Sequence, residues 1–296
     1  MSSRDLVGFR VVAVHAHPDD EAISTGGALF QLARRGADVT VVTCTLGEEG
    51  EVIGPTWARL VASESDQLGG FRTAELAASL SILGVRGIYL GGAGRFRDSG
   101  MVGSPAHANL RAFVNSGSLA VDLLAEVFDD IRPHLVITYG PDGGYGHPDH
   151  IHAHDITHAA AARVAVPRLL WVVNSLAATA AGIDRIEEIP TGWTRPDTAY
   201  PENQGVDKHD LVVELDSSDL HAKRESMRAH ATQVWIADGY VSHTNPQAAW
   251  AVGPDPVFAL SNLHAQPILR QEYYQLGAGT IDGPGLLDGL DREWQG

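Results

Sequence analysis

Between Phe9 and Val173, short runs of β-branched and aliphatic residues alternate with longer stretches of helical pattern, and no other feature narrows the possible folds as much. Phe9 to Val14 (FRVVAV) reads as a strand, and Glu21 to Arg35 as the following helix, closed by Gly36. Val39 to Thr43 is a second strand. A helical stretch over Arg59 to Leu83, with Gly69 and Gly70 as a weak point, leads to a short strand at Gly87 to Leu90. Leu119 to Ile131 reads as a helix stopped by Pro133, His134 to Thr138 as a strand, His150 to Val164 as a helix and Leu169 to Val173 as a strand. Near-continuous apolar strands are buried on both faces. The expected fold class is therefore α/β: a Rossmann-like, mostly parallel sheet with helices on both faces. In such sheets ligands collect at the carboxyl ends of the strands, which puts the segments after Val14, Thr43, Leu90 and Thr138 around one site.

Beyond Asn174 the pattern weakens. Residues 175–208 carry Pro190, Pro196 and Pro201 and read as a long excursion or lid. Leu211 to Leu215 reads as another strand, Asp219 to Val234 as another helix, and the Gly-rich tail from Gly277 as poorly ordered. The expected division is a catalytic layer over 1–174 and a C-terminal extension over 175–296 that shapes the pocket, the two forming one integrated domain. With 44% hydrophobic and 20% charged residues, the chain can build a real core. Its 37 acidic residues against 21 Lys and Arg leave a formal charge of −16. That balance suits neither a phosphate backbone nor an anionic membrane, so no nucleic acid and no membrane are expected as partners. No apolar run reaches the ~18 residues of a membrane helix. Cys44 is the one cysteine, so no intrachain disulfide is expected; without a convincing signal-peptide core the expected location is cytoplasmic.

Two segments carry chemistry. The first strand runs into His15-Ala16-His17-Pro18-Asp19-Asp20-Glu21, and the fourth into Tyr139-Gly140-Pro141-Asp142-Gly143-Gly144-Tyr145-Gly146-His147-Pro148-Asp149-His150. Each strand end thus delivers a His-Pro-Asp unit to one edge of the sheet. Either unit alone reads equally well as turn and capping chemistry. With the residues just after the second, they hold His15, His17, His147, His150, His152, His154 and His158, half of the 14 histidines. Two imidazoles and one carboxylate are the ligand set of open catalytic zinc sites, which keep a position for water or substrate.

HAHPDDE after the first strand, with GHPDH after a later one, resembles the LmbE/PIG-L family of zinc-dependent deacetylases. The likeness extends to TCTLGEEGEVIG at 43–54, LGGFRTAEL at 68–76, YLGGAGRFRDSGM at 89–101 and AHATQV at 229–234. These segments are similar to the branch of the family that removes acetate from N-acetylglucosaminyl-inositol during mycothiol synthesis. The resemblance implies His17, Asp20 and His150 as ligands of zinc, with ferrous iron acceptable to the same donors. It implies Asp19 as general base, and His147 as the group that stabilises or protonates the tetrahedral intermediate. Asp149 would orient the His147 imidazole, and Tyr145 would donate to the developing oxyanion. Arg72 and Asp98 would hold sugar hydroxyls as an Arg–Asp pair, with Glu51 nearer the inositol. The implied partner is this pseudodisaccharide; the oligomeric state is left open.

Other readings compete. Within the family they are a mycothiol S-conjugate amidase and a deacetylase of another N-acetylglucosaminyl conjugate; the GEEGEVIG and GGAGRFRDSG segments favour the first deacetylase. The run Gly91-Gly92-Ala93-Gly94 suggests a nicotinamide-dependent dehydrogenase, but that fingerprint belongs in the first strand–helix turn. Here that turn holds Asp19, Asp20 and Glu21, which repel phosphate. A non-catalytic sugar-binding module has no need of a spare carboxylate beside a ligand set. Cys44 is expected to be a buried structural thiol, His15 to pack beneath the site, and His230 and Gln233 to line the pocket.

Overall fold

The computed structural model describes residues 4–196 and 205–294. Strand β1 (Arg10–His15) is buried almost throughout and sends alternate side chains to opposite faces. Val11 and Ala13 join Leu29, Leu32 and Leu80 in one core; Val12 and Val14 join Leu124, Phe128 and Ile156 in the other. Those partners come from helices α1 (Asp20–Arg34) and α2 (Leu68–Leu83) on one face, and α3 (Ser118–Ile131) and α4 (Pro148–Val164) on the other.

β1 pairs in parallel with β2 (Asp38–Thr43) on one side and with β4 (Leu135–Tyr139) on the other. β3 (Arg86–Tyr89) extends the first wing and β5 (Arg168–Val173) the second, again in parallel. The strand order reverses between β1 and β4, so the loops leaving their carboxyl ends part and open a crevice. Two later strands complete the same sheet: β10 (Gln271–Ala278) runs antiparallel between β5 and β6 (Leu211–Glu214). Helix α6 (Ser217–Ala229) lies against α1 and α2. A small antiparallel sheet of β7 (Trp235–Ile236), β8 (Val257–Ala259) and β9 (Gln266–Pro267) carries its own cluster of Trp193, Trp235, Ile53 and Val257. The α/β, mostly parallel architecture expected from the sequence is the one found.

Several elements differ from the sequence reading. The stretch expected as a helix from Arg59 holds only a short 3-10 turn at Ala58–Leu60; α2 starts at Leu68. Gly69 therefore sits in its first turn rather than at a break, where a Cβ would approach Glu48 Cγ to 2.7 Å. Part of the expected excursion is a helix, α5 (Leu176–Asp184), capped by Ser175 Oγ. Residues 197–204 of that excursion lie outside the described residues. α6 stops at Ala229, because His230 leaves helical geometry with φ −86° and ψ 52°. The tail is packed, not loose: Leu286 and Leu287 are buried, and the fully buried Arg168 donates to the carbonyls of Thr280, Leu286 and Asp288. Its glycines suggested disorder, but two leucines and three bonds to a buried guanidinium outweigh them. No helix among the described residues is long and apolar enough to cross a membrane.

Candidate active site

The two motifs meet at the crevice. Asp19 is the N-cap of α1 and His147 the N-cap of α4, with Pro148 at the first helical position, where its missing N–H costs nothing. His147 Nδ1 accepts from the Asp149 N–H at 3.1 Å, which leaves Nε2 as the ring nitrogen available to the cavity. Gly143 lies in the loop before α4 with φ 66°, and a Cβ there would stand 2.8 Å from His150 Cβ. Glycine thus lets the loop backbone close on His150, whose Nδ1 donates to the Gly143 carbonyl at 3.0 Å.

Tautomers follow from these partners. A carbonyl only accepts, so His150 Nδ1 carries hydrogen and Nε2 presents a lone pair. His17 Nε2 faces Asp149 Oδ2 at 3.2 Å and Asp98 Oδ1 at 3.5 Å, so its hydrogen belongs there and Nδ1 turns inward. The inward nitrogens stand 3.3 Å apart. Asp20 Oδ2 lies 3.5 Å from His17 Nδ1, and Asp20 Oδ1 lies 3.4 Å from His150 Nε2. Three electron-pair donors at such separations repel one another unless a positive charge sits among them. A four-coordinate zinc with ligand bonds of about 2.0–2.1 Å has ligand–ligand edges of about 3.3–3.4 Å. The separations in this cluster are close to those edges, with a different Asp20 oxygen facing each ring. His147 also brings a ring nitrogen within 4.8 Å of those of His17 and His150.

The carboxylates around this centre favour a positive charge within it. Burial works against a charge on His17, yet Asp98, Asp149 and Asp20 lift its pKa well above the ordinary value. Burial would raise the Asp20 carboxyl, but His150 and His17 hold it well below the usual range. Its neighbour Asp19 is pushed the other way. Burial raises it to about 7, against the pull of Arg72, whose Nη2 stands 3.1 Å from Asp19 Oδ2. Burial, with His17 and His150 beside it, pushes His147 down to about 3.

A cavity of about 560 Å³ opens over this centre, and every expected site residue except the fully buried Asp149 lines it. Tyr145 sets its ring edge-on to His150 at 5.1 Å. Three expected contacts differ. The Asp149 carboxylate is on His17 rather than His147, because helix geometry gives His147 the Asp149 backbone N–H instead. Arg72 and Asp98 are engaged apart: Arg72 with Asp19 and the carbonyls of Gly47 and Pro18, Asp98 with His17 and the Gly100 N–H. Both are at most 4% exposed, so neither is a surface charge. His230 lies beneath the cavity, bonded to Glu21, while Gln233 does line it. Cys44 is a buried free thiol, and the fully buried His15 bonds to Thr25. The later histidines are structural: His152 meets Ser116, His154 the Tyr139 carbonyl, and His158 the Trp171 indole.

The sequence places Tyr139 at the head of the second motif but does not reveal its role. Its hydroxyl accepts from the Ala16 N–H at 2.8 Å and donates to Asp20 Oδ2 at 2.7 Å, and its ring stacks on His150 at 4.2 Å. One side chain thereby orients two of the three donors. The available signal was its place as the last residue of β4, at the sheet edge that carries the motifs.

Fold and site together define a class: a doubly wound α/β protein with a candidate cation centre of histidines and carboxylates at its switch point, the layout of a metal-dependent hydrolase. The chain belongs to the PIG-L family, whose model, described as GlcNAc-PI de-N-acetylase, matches residues 12–161. It is 62% identical over 295 residues to a 1D-myo-inositol 2-acetamido-2-deoxy-alpha-D-glucopyranoside deacetylase of Corynebacterium efficiens, covering 97% of this chain and 94% of that one. Among solved structures it is similar to the zinc-inhibited form of a teicoplanin deacetylase, with TM-score 0.51 and 19% identity over 90% of this chain and 97% of the other. The 4-carboxy-2-hydroxymuconate hydratase of a Pseudomonas matches almost as well, with TM-score 0.50 and 16% identity over 93% and 98%. One fold thus serves unlike reactions, and the chemistry has to be read from the site.

Proposed function

We propose that the chain hydrolyses the acetamide of 1D-myo-inositol 2-acetamido-2-deoxy-α-D-glucopyranoside, releasing acetate and glucosaminyl-inositol, a step of mycothiol synthesis. The observation that carries this reading is the 62% identity, over 97% of the chain, to the Corynebacterium efficiens deacetylase. Zinc, or ferrous iron, held by His17, Asp20 and His150 would supply a Lewis acid for the acetamide carbonyl and a lowered pKa for water.

The other roles belong to the chain's own groups. Asp19 takes a proton from the attacking water and returns it to the amine as the C–N bond breaks; a carboxyl raised to about 7 is suited to both steps. The Nε2 of His147 and the hydroxyl of Tyr145 meet the oxygen on which charge develops. Asp149 and Asp98 orient His17, and Arg72 holds Asp19 to one geometry. Arg72 and Asp98, both in the cavity wall, meet sugar hydroxyls, and Glu51 takes the inositol side.

An amine-release assay tests the proposal. It is run side by side on N-acetylglucosaminyl-inositol and a mycothiol S-conjugate, with metal-depleted and zinc-reloaded protein. Zinc-restored release, faster from the acetylated sugar, is the expected result. A reversed preference would move the chain to the amidase reading, and release unaffected by metal depletion would remove the cation from the mechanism.

A further inference from the structure

Asp19 is an N-cap residue that does not cap. An aspartate at this position ordinarily takes an extended backbone and turns its carboxylate onto the N–H groups of the first helical turn. Asp19 instead has φ 108° and ψ −29° and makes no capping bond. The other non-glycine residues with positive φ among those described, at 53° to 57°, sit in the small left-handed basin; Asp19 is well outside it. A backbone like this persists only where its surroundings impose it.

Glu21 imposes it. Its Oε2 accepts from the Asp19 N–H at 3.0 Å. Its Oε1 accepts from Ser79 Oγ at 2.5 Å and faces His230 Nε2 at 2.7 Å. Glu21, Ser79 and His230 are all fully buried. His230 Nδ1 has no partner among the described residues, so the bond to Glu21 is the polar contact for which the ring is kept. With every neighbour a donor, Glu21 needs both carboxylate oxygens. Released from its helix, the Asp19 carboxylate is met in the cavity by Arg72 Nη2.

We infer that Glu21, clamped by Ser79 and His230, is a positioning device that locks the Asp19 backbone so that its carboxylate faces the reacting atoms instead of capping α1. His230 ends α6, 209 residues along the chain from Glu21, so the C-terminal part acts on the centre from beneath without touching substrate. The inference rests on Asp19 as the proton-transfer group.

The test uses zinc-loaded full-length protein. His230→Ala is expected to lower kcat by about 10- to 100-fold, the scale of a misplaced catalytic group, with KM and zinc affinity by competition titration as in the wild type. His230→Gln, whose amide can donate to Glu21, is expected to recover most of the loss. In an Asp19→Ala background His230→Ala should bring no further loss. A further loss of equal size there, or a loss appearing in KM, overturns the inference. Wild-type turnover by Asp19→Ala alone would instead sink the proton-transfer assignment. Melting temperatures give a readout without catalysis. Removing Glu21 relieves strain only when residue 19 is not glycine. Glu21→Ala should therefore lower the melting temperature more in an Asp19→Gly background than in the wild type, and equal shifts overturn the inference.

Discussion

Adjacent residues Asp19 and Asp20 carry the same side chain and are given opposite proton affinities. Asp20 lies among imidazoles and accepts from Tyr139 and the His17 N–H, all of which favour its charge. Asp19, half-buried beside Asp20 and Glu21, rises to about 7. Two acids driven apart by their surroundings suit the proposed division between holding an ion and moving a proton. Asp19→Ala is expected to keep zinc by elemental analysis and lose about 10²- to 10⁴-fold in kcat. Asp20→Ala should lose the ion itself. Proton transfer needs the carboxylate form, so kcat/KM should fall as pH drops, with a midpoint at or below about 7, because a bound cation favours that form. An acid limb centred above 7 would exclude Asp19. Tyr139→Phe removes the hydroxyl on Asp20 and keeps the stack on His150; a roughly 10-fold weaker zinc affinity by chelator competition is expected.

At the scale of elements, one buried carboxylate joins three of them. Glu272 of β10 accepts from the N–H groups of Gly27 and Ala28 in α1, each at 2.9 Å, and pairs with Lys223 of α6 at 2.5 Å. Lys223→Met leaves that carboxylate buried without its cation, a change expected to cost about 3–5 kcal/mol in urea unfolding. A loss below about 1 kcal/mol would mean that water reaches Glu272. Elements whose signal is local were legible in the sequence: β1, β2, β4 and β5 lie within one residue of their expected limits. The start of α2 was not, because residues 59–67 read as helical in composition yet pack as turns. β7 to β9 escaped notice because strands of two or three residues carry no periodicity.

The molecule as a whole is closed by its C-terminal tail. Arg168 starts β5 with 0% exposure, and its guanidinium is satisfied by three carbonyls of residues 280–288. Truncation after Ala278 keeps every residue assigned to the site, but strips Arg168 of these partners and Leu286 and Leu287 from the core. A loss of more than about 3 kcal/mol is expected in thermal unfolding of the zinc-loaded protein. Unchanged stability would show the tail to be an appendage.

The sequence by itself determined the parallel sheet, its helical layers and the edge at which the two His-Pro-Asp units emerge. These follow from apolar periodicity and from residues next to one another in the chain. Tertiary structure alone decided that Asp149 serves His17, that Arg72 meets Asp19 rather than Asp98, and that His230 braces Glu21. Such pairings join residues far apart in sequence, and their strength comes from burial in a low-dielectric interior that exists only once the chain has folded.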